Sequence, residues 1–471
     1  MGNFRGSFRF PLQAIIFVTT LAILCPAVWA QEQNPDFNSQ VDRTAQQVLA
    51  ATGVPSASVA IVRSNRIAYA HAYGEARLDP KVPATPEMRY SIGSISKQFT
   101  ATAILMLGEE GKLSLDDPVG RFLPDLTRAN DVTIRELLSH TSGYQDYWPQ
   151  DYVMPMMLEP TTAQKILDLW ARKPLDFEPG TKWQYSNTNY VIAGLIVEKA
   201  SGMPLLRFLA EKVFKPLGVQ DVANIDQEHL PATDPTGYLR YALGPLRPAP
   251  KEGTGWLFAA GELAMSAPNL ARWDIGMLEQ RLLKPASYRE MQTEVRLKNG
   301  LGTGYGLGIE VTKEADHRAL EHSGEVSGFT SENVVFPDDG DAIVVLTNQD
   351  AAVAASHIAR RIAPLLFQDA RVTEKEQQAR RIFTGLQQGK IDRSLFTSNA
   401  NSYFSRQALA DFASSLGPLG TPESFTQASQ GLRGGMSFRR YTVRFAHKVL
   451  SVWVYEMPDG KIEEYQVMAS E

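Results

Sequence analysis

The sequence predicts an α+β fold: a mostly antiparallel sheet flanked by helices, with a helical subdomain inserted between its halves, then a small C-terminal α+β domain. Three observations carry this. Strand patterns stand at both ends of residues 57–346, with helical patterns between them. The last hundred residues change character, running from helical patterns into alternating ones. At 471 residues, 44% apolar and 21% charged, the chain has an ordinary globular composition and enough length for two or more domains.

The first thirty residues read as a separate unit. Arg5 and Arg9 precede an uncharged apolar run from Ala14 to Leu24, and Ala27-Val28-Trp29-Ala30 ends in a small residue. This is the layout of a cleavable secretory signal, cut after Ala30, and it predicts a periplasmic or secreted protein with no stable membrane span after cleavage. The alternative, a membrane anchor, calls for a longer apolar run. Cys25 is the only cysteine and lies inside this segment, so the mature chain is expected to have no disulfide and no thiolate metal site. The net charge of −5, without a Lys/Arg-rich run, argues against a nucleic-acid partner.

The elements then follow in order. Residues 36–52 form an amphipathic helix, with Phe37, Val41, Ala45, Val48 and Leu49 at helical spacing. Ala57–Val62 and Ile67–Ala70 are strands around a Ser64-Asn65 turn. Lys97–Leu107 is helical, and residues 115–290 are mostly helical, broken by Pro and Gly. Strands return at Gly306–Val311, Ser331–Phe336 and Ala342–Leu346, followed by a helix over Ala352–Phe367. The charged stretch Arg371–Arg381 is a linker or a new helix. The last domain has helices near 373–388 and 405–416 and strands at Tyr441–Phe445, Val449–Tyr455 and Ile462–Val467, with a Pro458-Asp459-Gly460 turn between the last two. The expected units are thus 1–30, 31–368 and 369–471.

Three short motifs suggest chemistry. In Ser94-Ile95-Ser96-Lys97, a helix starting near Ser94 puts Lys97 one turn later on the same face, within reach of the serine hydroxyl. The alternative is a capping serine followed by a surface lysine. In Tyr185-Ser186-Asn187, a nearby lysine ammonium would lower the phenol pKa and make it a usable base, and Asn187 offers an amide to a substrate carbonyl. The alternative is a core tyrosine and a capping asparagine. In His322-Ser323-Gly324, the glycine permits close backbone approach, and the next N–H, from Glu325, could serve an oxyanion. The alternative is a strand end with a structural histidine.

Together and in this order the motifs resemble the serine β-lactamase/penicillin-binding superfamily, in the branch of class C β-lactamases, D-alanyl-D-alanine carboxypeptidases, D-aminopeptidases and esterases. Tyr90-Ser91-Ile92-Gly93, His140-Thr141-Ser142-Gly143, Pro179 to Asn187, Phe214-Lys215-Pro216-Leu217-Gly218, Tyr305-Gly306-Leu307-Gly308 and Gly328-Phe329 add to the likeness, which covers about 36–367. The resemblance implies a β-lactamase/transpeptidase-like fold and an exported serine hydrolase. Ser94 would be acylated, Lys97 and Tyr185 would share the acid–base work, and Asn187 would bind the substrate amide. The N–H groups of Ser94 and Glu325 would form the oxyanion hole beside Gly324, and no cofactor or metal is implied. The substrate would be a small molecule or peptide, peptidoglycan-derived material included.

One departure stands out. His322 occupies the place of the lysine of true class C β-lactamases, so carboxylate-bearing β-lactams are expected to be poor substrates. Glu325 beside it would repel an anionic substrate if it faced inward. A slowly acylating penicillin- or muropeptide-binding sensor is the main alternative. An α/β-hydrolase lacks support, since Gly-x-Ser-x-Gly does not occur, and the seven histidines form no His-Glu-x-x-His.

Overall fold

The computed structural model describes residue 2 and residues 35–470, apart from 151, 368 and 369. The expected secretory signal therefore lies outside the described residues.

A seven-stranded antiparallel sheet forms the centre. Its order is Lys81–Pro83, Arg66–Leu78, Ser56–Arg63, Asp341–Thr347, Phe329–Phe336, His317–Val326, Glu310–Glu314. The first strand of this sheet along the chain lies beside its last, Val59 opposite Val345, so the sheet closes across the intervening helical region. The hairpin turn Ser64-Asn65 has both residues at positive φ, 48° and 61°, as a tight two-residue turn requires. The expected strand Gly306–Val311 is corrected to Glu310–Glu314. Tyr305–Gly308 form turns instead, with Gly308 at φ 76°.

The strands Ser56–Arg63 and Asp341–Thr347 are buried almost throughout and carry unbroken apolar stretches at Val59–Val62 and Ala342–Leu346, because both sheet faces are covered. Val59, Ile61, Ile343 and Val345 face one side, against Phe37, Val41, Ala45 and Val48 of helix Pro35–Thr52 and Ile358 and Ile362 of helix Ala354–Leu366. Ala60, Val62, Val344 and Leu346 face the other, in the large core shared with Ile95, Phe99 and the helical region. Burying these side chains fully is worth about 1.5–3 kcal/mol for each Val, Ile or Leu before chain entropy is counted.

On this inner side, the turn Gly93–Ile95 runs into helix Ser96–Glu109, which is buried on nearly all its faces and so is not amphipathic. It packs against helix Asn187–Ser201. A small sheet of Tyr90–Ser91, Leu263–Met265 and Ala223–Asn224 brings residues 255–265 beside the turn.

The C-terminal part is a separate small domain. Strands Ser424–Arg433, Met436–Phe445, Lys448–Glu456 and Ile462–Ala469 form an antiparallel meander, and helices Ala370–Gln387, Ser398–Tyr403 and Arg406–Leu416 accompany it. Of the two readings of Arg371–Arg381, the helix is the one found. The domain's core is its own, built from residues such as Phe383, Leu386, Phe425, Val443 and Val452. The first strand had no clear alternating signature, because Gln430–Arg433 is exposed on both faces and a bulge interrupts the pairing near Ser429.

Candidate active site

Ser94 sits in the turn that opens the buried helix, and Lys97 follows one turn later. Lys97 has no exposed surface, and its Nζ lies 2.9 Å from Ser94 Oγ, 2.8 Å from Asn187 Oδ1 and 2.9 Å from the Ala260 carbonyl. Burial pulls its pKa down to about 7, opposed by the charge of Asp146. The surface-lysine alternative is excluded by this placement.

Tyr185 arrives on the loop before helix Asn187–Ser201 and shares a hydrogen bond with Ser94. Its ring stands 4.3 Å from that of His140, and Lys97 Nζ is 4.9 Å from the ring centre. The phenol departs from expectation. Burial raises its pKa, and the carboxylates Asp146 and Glu310 push the same way, so the hydroxyl keeps its proton at neutral pH. His140 accepts from Ser186 N–H at Nδ1 (3.1 Å) and is kept neutral by burial and by Lys97 and His322.

Asn187 is held from both ends. Its Oδ1 accepts from Lys97, its Nδ2 donates to Asp146 Oδ2 at 3.3 Å, and its backbone N–H donates to Asp146 Oδ1 at 2.9 Å. The Asp146 carboxylate accepts, so Nδ2 faces it and Oδ1 faces Lys97, which determines the amide orientation.

The strand His317–Val326 supplies the third motif. Ideal Cβ atoms added at Gly93 and Gly324 would stand 2.7 Å from Glu325 N and 2.0 Å from Ile92 O, so the strand and the turn touch backbone to backbone. This brings Ser94 and Glu325 together, as two oxyanion-hole donors require. His322 is 2% exposed, with Nδ1 2.6 Å from the Ser323 carbonyl and Nε2 2.8 Å from Tyr305 Oη. The carbonyl can only accept, so Nδ1 carries the hydrogen and Nε2 accepts from the tyrosine. Burial, with Lys97 adding to it, pushes the imidazole pKa down to about 3, so the ring is neutral. Glu325 does not hold it charged: Glu325 Oε1 accepts from Ala351 N–H at 2.7 Å.

These groups line a cleft of about 620 Å³, with Trp148, Tyr152 and Trp183 on its walls. The Beta-lactamase family model matches residues 41–366, well over half of the chain. The chain belongs to this family. It is 30% identical to penicillin-binding protein 4* of Bacillus subtilis over 302 residues, 60% of this chain and 66% of that protein, so it spans just under two thirds of that relative's length. Among solved structures, a D-stereospecific amidohydrolase from Streptomyces sp. aligns with a TM-score of 0.60 at 28% identity, covering 69% of this chain and 98% of that one. The D-amino acid amidase of Ochrobactrum anthropi SV3, complexed with D-phenylalanine, aligns with a TM-score of 0.61 at 26% identity, covering 70% of this chain and 98% of that one. The fold is thus that of the serine β-lactamase/transpeptidase proteins, and the chain is a member of this hydrolase family.

All seven residues singled out in the sequence converge in this β-lactamase-family site: Ser94, Lys97, Tyr185, Asn187, His322, Gly324 and Glu325. Three partners were not foreseen. Asp146 lies in a loop without a regular pattern, six residues after His140. The Ala260 carbonyl is backbone and leaves no side-chain signature. Tyr305 belongs to a family segment without a role assigned from sequence, yet its hydroxyl is the partner of His322 Nε2.

Proposed function

We propose that this protein is an exported serine hydrolase that forms an acyl-enzyme on Ser94 and cleaves amide or ester bonds in substrates without an essential carboxylate. D-amino amides, D-amino peptides and small esters are the favoured classes and β-lactams the least favoured. Export rests on the charge and apolar pattern of residues 1–30.

The observation that carries the reading is the contact between Lys97 and Ser94 at the cleft. Two of the three acceptors around Lys97 Nζ, Asn187 Oδ1 and the Ala260 carbonyl, can only accept. A neutral amine gives them its two hydrogens and keeps its lone pair for Ser94 Oγ. With a pKa of about 7 the neutral form is well populated at physiological pH. Lys97 is therefore the general base that takes the Ser94 proton as Oγ attacks the carbonyl carbon. The oxyanion settles between the N–H groups of Ser94 and Glu325. Tyr185, protonated at rest, gives its proton to the leaving amine or alcohol and regains one from the Lys97 ammonium. Water then attacks the acyl-enzyme by the reverse route and releases the acid and free Ser94.

The lining supports the substrate class. Asp146, Glu310, Glu325 and Asp350 border the cleft, His322 is neutral, and among the described lining residues none is Lys or Arg. Burial raises the pKa of Asp146, Glu310 and Asp350, which weakens this field without reversing its sign: whatever negative charge the border carries repels a substrate carboxylate and attracts an ammonium. The two aligned structures, a D-stereospecific amidohydrolase and a D-amino acid amidase, support the same reading.

The test is a turnover panel of purified protein, with Ser94→Ala as control: a D-amino acid anilide, its L-isomer, a neutral nitrophenyl ester and a chromogenic cephalosporin. Mass spectrometry follows the acyl-enzyme. Fastest turnover of the cephalosporin would overturn the substrate reading. Acylation without turnover on every substrate would instead assign the slowly acylating binding protein.

A further inference from the structure

We propose that Asp146 is a positioning residue of this active site, which clamps the Asn187 amide and acts as the counter-charge of Lys97. The inference rests on the Ser94–Lys97 reading above.

The geometry is a chain of four side chains. Asp146 holds Asn187 at two points, the backbone N–H (2.9 Å) and Nδ2 (3.3 Å), and takes a third hydrogen bond from Trp148 N–H at 3.1 Å. Asn187 presents Oδ1 to Lys97, and Lys97 reaches Ser94. One hydrogen of Nδ2 is committed to Asp146. The other is left to the cleft, which Asn187 lines, where a substrate carbonyl can accept it. Among the described residues Asp146 is the hydrogen-bond acceptor at Nδ2, so it sets the amide orientation at that end.

The charge argument is separate. Lys97 is packed among groups that do not offset its charge. His140 and His322 are both held neutral, and the rings of Tyr185 and Tyr190 lie 4.9 and 5.5 Å from its Nζ. Among the described residues Asp146 is the carboxylate that supports the ammonium against burial; burial raises the pKa of Asp146 too, opposed by its hydrogen bonds from Trp148 and Asn187 and by Lys97. Its negative charge keeps Lys97 from being neutral at all pH values, which the mechanism requires, because Lys97 must hold the serine proton long enough to return it through Tyr185. The structure assigns Asp146 to balancing these two states.

The test is the pH dependence of kcat/KM with a neutral nitrophenyl ester, whose lack of charge removes any direct pull by Asp146. In the wild type, activity rises with pH through about 7 as Lys97 loses its proton. Asp146→Asn and Asp146→Ser remove the charge, so the rising limb moves to lower pH by about half to one unit, or roughly three- to tenfold in the neutral fraction on the acid side. Asp146→Glu keeps the charge and leaves the limb in place while lowering the rate through poorer fit. A limb at its wild-type position in whichever charge-removing variant folds, with the loss equal at every pH, overturns the proposal. So does failure of both to fold, which would assign Asp146 to stability alone. A wild-type protein that shows no labelling of Ser94 by a fluorophosphonate would mark failure of the underlying reading instead.

Discussion

Replacing His322 by Lys tests the electrostatics of the cleft directly. In the wild type the imidazole is tied to Tyr305 and to the Ser323 carbonyl, and its pKa is near 3, so it stays neutral throughout the working range. A lysine would introduce a charge. At an effective dielectric of about 20, a unit charge about 6–10 Å from a substrate carboxylate is worth roughly 2–3 kcal/mol. Screening at an open cleft reduces this to about 1–2 kcal/mol, or roughly 5- to 30-fold in relative acylation. The new charge also repels Lys97, but that affects every substrate alike. The assay is therefore a ratio: kcat/KM for a carboxylate-bearing cephalosporin over that for a neutral ester, at pH 6 and pH 8. An unperturbed histidine would give a gain that grows with pH, since the wild type would lose charge between these values. The buried ring gives no such contrast, so the ratio should rise equally at both. Two results refute the reasoning. One is an unchanged ratio; the other is a wild-type ratio that falls between pH 6 and 8 along a histidine titration.

Further outcomes follow from other groups. Tyr185→Phe should lower kcat by a factor of about 10²–10⁴ with the fold intact, checked by kinetics beside circular dichroism; normal turnover would remove Tyr185 from the mechanism. Residues 31–368 alone should fold and hydrolyse the ester, because the C-terminal domain has its own core; a folded but inactive truncation would show that the tail completes the site. Asp274 is fully buried, its pKa pushed up to about 8 by burial, and its Oδ2 and Asn333 Oδ1 have no partner although Asn333 Nδ2 donates to Asp274 Oδ1 at 2.9 Å. A proton on Oδ2 would join the two orphaned oxygens. The folded state then holds a proton that the unfolded chain releases above pH 3.8, so this group's contribution to stability falls as pH rises and levels off above about 8. Asp274→Asn should make the stability–pH slope shallower by about 1.4 kcal/mol per unit between roughly pH 5 and 7, read by denaturant titration. Identical slopes would show that Asp274 is not the titrating group.

How much was legible in the sequence depended on what kind of contact built each part. The hairpin around Ser64-Asn65 and the apolar strands 342–346 were readable because local pattern and burial agree there. The strand Glu310–Glu314 was misplaced because Gly306-Leu307-Gly308-Ile309 has an apolar alternation that serves turns packed in the core, with Leu307 and Ile309 buried. Ser94, Lys97 and Tyr185 were legible as motifs because chemistry confines them to short spacings. Asp146 and the Ala260 carbonyl were not, since each meets Lys97 or Asn187 only through the tertiary fold, 41 and 163 residues away along the chain. The direction of the Tyr185 shift was missed for the same reason. Proximity to a lysine is a local inference, whereas burial of the phenol is a property of the whole core.

That last correction sets how the acid and base roles divide in the proposed mechanism. Burial acts on a lysine and a phenol in opposite senses: it favours the neutral amine and the neutral phenol alike. In the proposed mechanism, burying both beside Ser94 therefore yields a base that is free to accept and an acid that is ready to donate. Had the pair stood in water, the lysine would be an ammonium with no lone pair at neutral pH. The same burial explains why His322 contributes no charge. In the proposed mechanism, catalytic competence and the bias against anionic substrates thus share one physical origin, the burial of Lys97, Tyr185 and His322 around Ser94.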